Sequence, residues 1–296
     1  MNESDGVVTG CINRGTITSD VSVSDNVLTG GIAGQNKGRI IGCKNEGEVI
    51  GEDLPIATAR SALTGGIVGM LYGGSVVDCV NDGSVKGGEA ALSLVGGIVG
   101  RAGVTGSDLE LVEGCTNNGI VYGSQKEAND NFVGGIIGGN TDRSGFSYPV
   151  NVFGCVNNGE VIAGSVSGVH AKGSACGLVG RLEGSVSSVI VACANTGTVT
   201  PVADPLKDVT YIVNDLADGN YVGKALWKGG QTYSMDNADD KLYTLVKGSV
   251  NGAAITDMNS AISSYNSSAE EEVRCRFVWE WTDGDWPEPV KSDQRK

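Results

Sequence analysis

Cysteine and asparagine recur together in this chain at a spacing that could gather thiols and amides in one site. The pattern Cys-x-Asn-x-Gly occurs six times, each time with Val or Ile three residues before the cysteine and six residues after it. The six copies begin at Cys11, Cys43, Cys79, Cys115, Cys155 and Cys193. One copy alone is compatible with a zinc knuckle, a redox site or a tight hairpin.

A zinc site or a histidine-based catalytic site has little support from the spacing. Zinc needs four converging ligands, usually from paired CxxC motifs or histidines. No two cysteines are closer than 17 residues, and His170 is the only histidine. Since His170 lies in a Ser/Gly/Ala-rich segment without a partner motif, we interpret it as a solvated loop residue. We expect no cofactor and free thiols, with Cys176 and Cys275 as the places where a disulfide could form.

A second block precedes copies two to six of the pattern, and it reads GGIAG, GGIVG, GGIVG, GGIIG and CGLVG. Successive cysteines are 32, 36, 36, 40 and 38 residues apart, a period typical of solenoids. Each unit holds three short Val/Ile segments bounded by glycine and asparagine, which is too little for a pair of helices. We therefore predict an all-β fold, a right-handed parallel β-helix of about six coils. One coil per repeat is the preferred interpretation, and two coils per repeat is the alternative.

Stacking of equivalent residues explains the motif, because each lies about 4.8 Å from its copy in the next coil. Cysteine would fill a narrow buried column, and asparagine would take the left-handed bend and bond to its copies above and below. The GGIVG block would be a strand with apolar rows on both faces. The outer row would then be covered by side chains of the preceding segments, namely Leu63, Leu92, Leu94 and Phe132.

Composition narrows the possible partners of the chain. The formal net charge is −14 and no basic run offsets it, which disfavours nucleic acid and anionic lipid as partners. No run of 18 apolar residues occurs, so we expect no membrane insertion. The start, MNESDGVVTG, lies within a repeat and lacks the features of a signal peptide. We interpret the sequence as an expressed fragment or a trimmed mature chain.

The period stops after Pro201, which divides the chain into repeats at residues 1–200 and a different segment at 201–296. All four tryptophans lie in the second segment, with a short helix predicted at Asp257–Tyr265 and a strand at Arg274–Trp281. We predict a small α+β cap over the open end of the β-helix. The alternative is a lectin-like surface on which the tryptophans stack against sugars.

The GGIVG block followed by Cys-x-Asn-x-Gly-x-Val resembles the GLUG-type repeats of bacterial surface proteins, from about Val7 to Thr200. Such repeats occur in exported adhesin-like proteins and in non-catalytic regions of some zinc immunoglobulin A1 proteases. The HExxH signature of those proteases is absent here, so protease activity is not implied. The resemblance implies an extracellular or cell-surface module without enzymatic activity, serving in adhesion or as a rigid stalk.

Longer connections in the later repeats indicate where a partner could bind. The spacing from the last glycine of the GGIVG block to the Val or Ile three residues before the cysteine is 6 and 7 in copies two and three. It grows to 12, 14 and 10 in copies four to six. We expect loops 101–111 and 139–151 to project from neighbouring coils on one side. The candidate contacts to a host or microbial glycan or surface protein are Asp142, Arg143, Phe146 and Tyr148. The alternative is that these side chains fold back onto the coil.

A glycan-degrading β-helix enzyme, of the polysaccharide lyase or glycosidase type, is the alternative function. Such enzymes need paired carboxylates on an outward strand face. The carboxylates on the repeat strands are scattered, and we expect them to be solvated: Glu48, Asp78, Glu113 and Glu160.

Overall fold

The structure is a computed structural model of the chain. It describes residues 1–200 except 20–25, 56–59, 104–109, 127, 129, 142–147, 166–171, 183–187 and 192. Beyond residue 200 it describes 211–213, 221–223, 226–227, 243–244, 259–260, 262–263, 266–267, 277–280 and 288–291. His170, Cys275 and the candidate contacts Asp142, Arg143 and Phe146 lie outside the described residues.

The strands follow one another in units that repeat the order of the sequence motifs. The first unit contains β1 (Val7–Thr9), β2 (Ile12–Asn13) and β3 (Ile17–Thr18). The second contains β4 (Val27–Gly30), β5 (Ala33–Asn36), β6 (Arg39–Ile41), β7 (Lys44–Asn45) and β8 (Val49–Ile50). The third contains β9 (Ser61–Gly65), β10 (Val68–Leu71), β11 (Ser75–Val77), β12 (Val80–Asn81) and β13 (Val85–Lys86).

The later units keep this order as far as residue 200. The fourth contains β14 (Leu92–Gly96), β15 (Val99–Arg101), β16 (Glu110–Glu113), β17 (Thr116–Asn117) and β18 (Val121–Tyr122). The fifth contains β19 (Asp130–Gly134), β20 (Ile137–Gly139), β21 (Val150–Phe153), β22 (Val156–Asn157) and β23 (Val161–Ile162). The sixth contains β24 (Lys172–Arg181), β25 (Val189–Val191), β26 (Ala194–Asn195) and β27 (Val199–Thr200). The remaining strands are β28 (Tyr211–Val213), β29 (Tyr221–Gly223), β30 (Leu226–Trp227), β31 (Tyr243–Thr244), β32 (Phe277–Glu280) and β33 (Glu288–Lys291).

Each strand of the six units pairs in parallel with its counterpart in a neighbouring unit. One sheet has the order β1-β6-β11-β16-β21-β25-β29, another β2-β7-β12-β17-β22-β26-β30-β31, and a third β3-β8-β13-β18-β23-β27. The fourth runs β4-β9-β14-β19 into β24 and back through β20-β15-β10-β5. Since Val76 pairs with both Ile40 and Val112, one repeat makes one turn, and the two-coil alternative is wrong.

The described chain is therefore an all-β parallel solenoid, as the sequence predicted, with about four turns. Four units carry the complete set of five separate strands. The count of six coils, the right-handed sense and the C-terminal cap stay predictions. Strand β32 lies within the strand predicted at Arg274–Trp281, and it pairs antiparallel with β33, which was not predicted. The described residues of the predicted helix are helical, and Ile262 among them is buried.

The glycine pair forms a corner, which corrects the prediction of a single GGIVG strand. β9 ends at Gly65 and β10 begins at Val68, with Gly66 between them. A Cβ atom on Gly66 would lie 2.5 Å from Asn81 Cγ and would clash with the Gly97 carbonyl oxygen. Only glycine allows so close an approach of backbone and amide. The corner divides the block into two strands, and a further short strand, such as β12, contains the asparagine of the repeat motif. Each complete unit has five strands rather than the three predicted.

The two apolar rows of the block do not face opposite sides as predicted. Ile67 and Val68 both lie in the main core with the buried cysteines, because Ile67 occupies the corner, where the alternation of a strand does not hold. The side chains predicted to cover an outer row form a second cluster instead, with Met70 of the strand beyond the corner packed against it. The members of that cluster are Leu63, Leu92, Leu94 and Phe132.

The predicted cysteine column and asparagine ladder are confirmed. Each ladder Nδ2 donates to the Oδ1 of the next asparagine at 2.6–2.7 Å. It also donates to the carbonyl of the glycine two residues on, at 2.8–2.9 Å. The ladder comprises Asn13, Asn45, Asn81, Asn117, Asn157 and Asn195. The cysteine column comprises Cys11, Cys43, Cys79, Cys115, Cys155 and Cys193, all buried except Cys11.

The left-handed backbone lies one residue before the cysteine, and this corrects its predicted place at asparagine. Gly42 has φ +61° and Asp78 has φ +56° at equivalent positions. The glycine after the asparagine is required for another reason: a Cβ on Gly83 would clash with the Gly47 carbonyl oxygen of the preceding turn.

Candidate functional site

The long connections predicted from the sequence meet at one corner of the solenoid. They join β15 to β16 and β20 to β21, and the short third-unit connection from β10 to β11 lies beside them. Met70, Arg101 and Gly139 are paired at the ends of their strands, and Tyr72, Gly103 and Thr141 each follow two residues later. We call this the insertion corner, and it comprises Lys37, Tyr72, Gly103, Thr141 and the loop ends Glu110 and Tyr148.

The described ends of the two long loops are in direct contact. The Tyr148 backbone N–H donates to the Gly103 carbonyl at 3.1 Å, and Asn140 Nδ2 donates to the Tyr148 carbonyl at 3.3 Å. Gly103 has φ +73°, and an added Cβ would clash with the Tyr148 carbonyl oxygen. The expectation that the loops lie on one side of neighbouring turns is therefore confirmed at their described ends. Tyr148, the one described member of the predicted contact set, is half-buried.

A buried carboxylate fixes the base of the first loop. Glu110 is fully buried, and its two carboxylate oxygens accept the backbone N–H groups of Gly73 at 3.1 Å and of Gly103 at 2.5 Å. Hydrogen bonds from two amides stabilise the charged form of a carboxylate that water does not reach. Glu110 therefore connects two turns, and an external substrate has no access to it. No motif around Glu110 indicated this role.

Tyr72 is an exposed aromatic that the sequence reasoning missed. Its side chain is 39% exposed, and Lys37 Nζ lies 5.9 Å from the centre of its ring. Lys37 also pairs with Glu3 at 3.1 Å. The available signal was the aromatic residue in GGIVGMLYGGS, directly before a Gly-Gly turn. An exposed ring between glycines and a lysine can stack against a sugar face or a partner side chain.

The carboxylates expected to be solvated have several different environments. Glu113 is fully buried, so that expectation is wrong for it. It lies on the outward side of β16, where it is paired with Val77 and Phe153 of the neighbouring strands. Both of these residues are also buried, so this face of the sheet is not open to water. Glu48 is half-buried and pairs with Lys86 at 2.5 Å, a hydrogen bond that lowers the pKa of Glu48. Half-buried Glu160 accepts a hydrogen bond from Thr200 Oγ1 at 3.1 Å.

The thiols have the environment of packing residues. Cys115 Sγ donates to the Glu113 and Val76 carbonyls at 3.4 and 3.5 Å. Burial raises the pKa of the Cys115 and Cys155 thiols, which disfavours the reactive thiolate. Cys176 is also buried, and its Sγ donates to the Gly180 carbonyl at 3.7 Å. Within the described residues, no group of three or more Cys, His, Asp or Glu side chains is arranged to hold a metal ion.

No family model matches the chain, and no curated protein or solved structure shows significant similarity to it. The resemblance to GLUG-type repeats therefore stays a prediction from the motifs. None of the helices in the described part of the chain is long and apolar enough to cross a membrane.

Proposed function

We propose that the chain is a non-enzymatic surface module that binds a glycan or a surface protein through the insertion corner. The observation that supports this most directly is the exposed ring of Tyr72, whose neighbour Gly73 is linked through Glu110 to Gly103. The second loop is bonded to Gly103 through Tyr148. Two tyrosines at one corner, on turns held by Glu110, form a firm surface for stacking against a sugar or a protein side chain.

The location and wider architecture belong to the same proposal. The GLUG-like motifs support an extracellular or bacterial cell-surface protein with an adhesin-like role. A right-handed solenoid of about six coils would present the insertion corner, and residues 201–296 would close its end. A rigid stalk is the second role, favoured by the asparagine ladder, which bonds each turn to the next.

The glycan-degrading enzyme remains the alternative, although the carboxylate environments favour binding. Glu110 is held by two backbone amides, and Glu48 is paired with Lys86. A general acid must exchange a proton with its substrate, and these two groups already have their partners within the fold.

A glycan and surface-protein binding array on the purified chain tests the proposal. For any ligand found, calorimetry with Tyr72→Ala and Tyr148→Ala should each show about tenfold weaker binding, the effect of losing one aromatic stacking contact. Tyr122→Ala is the matched control, because the half-buried Tyr122 lies on a different sheet. A ligand that binds all three variants equally well would exclude the insertion corner. Turnover in a panel of acidic and neutral polysaccharides would establish the enzyme, and absence of any ligand would favour the stalk.

A further inference from the structure

A second ladder of side chains runs along the surface beside the buried asparagine ladder. The residue after each ladder asparagine belongs to it: Arg14, Glu46, Asp82, Asn118, Asn158 and Thr196. All of these are exposed except Thr196, which is half-buried. Asn118 Nδ2 donates to Asp82 Oδ1 at 2.8 Å, and Asn158 Nδ2 donates to Asn118 Oδ1 at 2.8 Å. Thr196 Oγ1 donates to Asn158 Oδ1 at 2.6 Å. We call this set the outer ladder.

Two members of the outer ladder form Asn-Gly pairs, which are Asn118-Gly119 in the fourth unit and Asn158-Gly159 in the fifth. Asn-Gly is prone to deamidation, because glycine has no side chain to hinder the approach of its nitrogen to the asparagine side chain. Hydroxide removes the proton of the glycine N–H, the nitrogen bonds to the asparagine Cγ, and the Cγ–Nδ2 bond breaks with release of ammonia. Water then opens the cyclic imide to aspartate or isoaspartate.

The fold holds the main chain of both pairs in the same way. The Gly119 N–H donates to the Asn81 carbonyl, and the Gly159 N–H donates to the Asn117 carbonyl, each at 3.2 Å. Attack on Cγ requires this N–H to leave its acceptor and the amide to leave the outer ladder, so the turn must first open locally. Because these main-chain contacts are the same at the two sites, a difference in rate must come from the side chains.

The side-chain contacts differ, since Asn118 donates to a carboxylate and Asn158 donates to a neutral amide. Lys44 Nζ lies 2.7 Å from the second carboxylate oxygen of Asp82 and keeps this acceptor in place. A hydrogen bond to an ionised acceptor is stronger than one between neutral groups. The Asn118 amide therefore leaves the outer ladder less often than the Asn158 amide.

We propose that Asn158 is a site of spontaneous deamidation in the folded chain, and that Asp82 protects Asn118 from the same reaction. Deamidation of Asn158 adds a negative charge to the outer ladder and removes the donor to Asn118 Oδ1. The bond from Thr196 Oγ1 can persist, because a carboxylate oxygen accepts it as the amide oxygen does.

Aspartate is the product that fits the folded turn. Asp82-Gly83 occupies the equivalent position in the third unit, and the Gly83 N–H donates to the Asn45 carbonyl at 3.2 Å, as the other glycines do. Isoaspartate would lengthen the main chain by one carbon directly before Gly159. Even an added Cβ on Gly159 would clash with the Gly119 carbonyl oxygen, so the turn has no room for the longer chain.

Incubation of the purified chain at mildly alkaline pH, followed by mass spectrometry of the peptides that contain residues 118 and 158, tests the proposal. The two local sequences, CTNNGIV and CVNNGEV, are closely matched, so both sites should deamidate at equal rates in urea above the unfolding transition. In buffer both should react more slowly. There Asn158 should react about fivefold faster than Asn118, the difference between opening a neutral and a charge-assisted bond.

Asp82→Thr removes the carboxylate and suits this position, because Thr196 occupies it in the sixth unit. It should bring the deamidation rate of Asn118 to within about twofold of the rate of Asn158. Asp53→Asn is the matched control, since Asp53 pairs with Lys126 away from the outer ladder, and it should leave both rates unchanged. Far-ultraviolet circular dichroism confirms that both variants are folded.

Equal rates at the two sites in buffer, or a faster reaction at Asn118, would overturn the proposal. So would an Asn158 that reacts in urea and stays intact in buffer. Rates in buffer that match those in urea would show that the fold protects neither pair. An Asn118 rate that does not respond to Asp82→Thr would exclude Asp82 as the protecting group.

Discussion

Replacing Asn117 with alanine in the middle of the asparagine ladder should destabilise the fold far more than the same change at the end of the ladder. Asn117 is fully buried. It accepts a hydrogen bond from Asn81 Nδ2 at 2.7 Å and donates to Asn157 Oδ1 at 2.7 Å and to the Gly119 carbonyl at 2.9 Å. Asn117→Ala leaves all three of these buried groups without their partner.

The magnitude follows from the cost of unsatisfied buried groups. Each costs about 1–3 kcal/mol, so three together predict a loss of about 3–6 kcal/mol, allowing for partial relaxation. A domain is typically stable by about 5–15 kcal/mol, so the variant should be close to unfolding. Asn13→Ala is the control, because Asn13 is only half-buried, so that water can replace its bonds. Its expected cost is below about 1 kcal/mol.

Urea unfolding followed by circular dichroism measures both changes, provided that the slope with denaturant is the same in all variants. Equal losses at the two positions, within about 0.5 kcal/mol, would refute the ladder as a source of stability. Asn117→Asp adds a pH readout. A carboxylate there is buried and faces Asn157 Oδ1, so its folded-state pKa should be raised. The loss of unfolding free energy in Asn117→Asp, relative to the natural chain, should therefore be small below about pH 4 and should grow as the pH rises to 7.

Four further predictions concern thiols, glycines and a surface carboxylate. In a Cys275→Ser background, alkylation of the folded chain followed by mass spectrometry should label Cys11 and leave the five buried column cysteines unlabelled. Labelling of these five cysteines at the same rate as Cys11 would contradict their burial. Gly42→Ala should lower the free energy of unfolding, measured in urea, by about 1–2 kcal/mol, because its φ is +61° while the added Cβ meets no neighbour. Gly15→Ala is the control and should leave the free energy of unfolding nearly unchanged. Gly83→Ala should abolish folding, since its Cβ clashes with backbone, and a folded variant would disprove so tight a stacking. Hydrogen bonds from Lys44 and Asn118 lower the pKa of Asp82 in the folded chain. The stability that this carboxylate contributes is therefore present above the unfolded pKa of about 4 and is lost as the pH falls. Asp82→Asn should flatten that part of the profile of unfolding free energy against pH.

The column register could be predicted because it depends on periodicity alone. Val or Ile recurs at fixed offsets from each cysteine, and such offsets place equivalent residues in one column whatever the shape of the turn. The pairing of Val76 with Ile40 and Val112 follows directly from that spacing. The free buried thiols could be predicted for the same reason, since stacked in-register side chains point the same way.

The corner at the glycine pair could not be read from the local pattern. GGIVG has the composition of a short strand, and its glycines are required by groups distant in the sequence. Gly66 makes room for the amide of Asn81 and for the backbone of the next turn, two contacts that depend on the shape of the cross-section. The left-handed residue before the cysteine was detectable, because glycine stands there in four of the six copies. The insertion corner was located from loop length, but Tyr72 belongs to a short connection and gave no such signal.

The two halves of the repeat motif depend on each other, which explains why the insertions and the proposed binding surface lie outside it. Asn81 bonds to both neighbouring turns on one side of the core, and Gly66 lies against its amide from the other side. A larger residue at Gly66 would displace the ladder, and a different side chain at Asn81 would leave its buried neighbours unsatisfied. Among the described residues, the connection from the strand beyond the glycine corner to the strand before the cysteine has no such double constraint. That interval is where the insertions occur and where Tyr72 is exposed, so a binding surface can vary there while every turn keeps its contacts with the next.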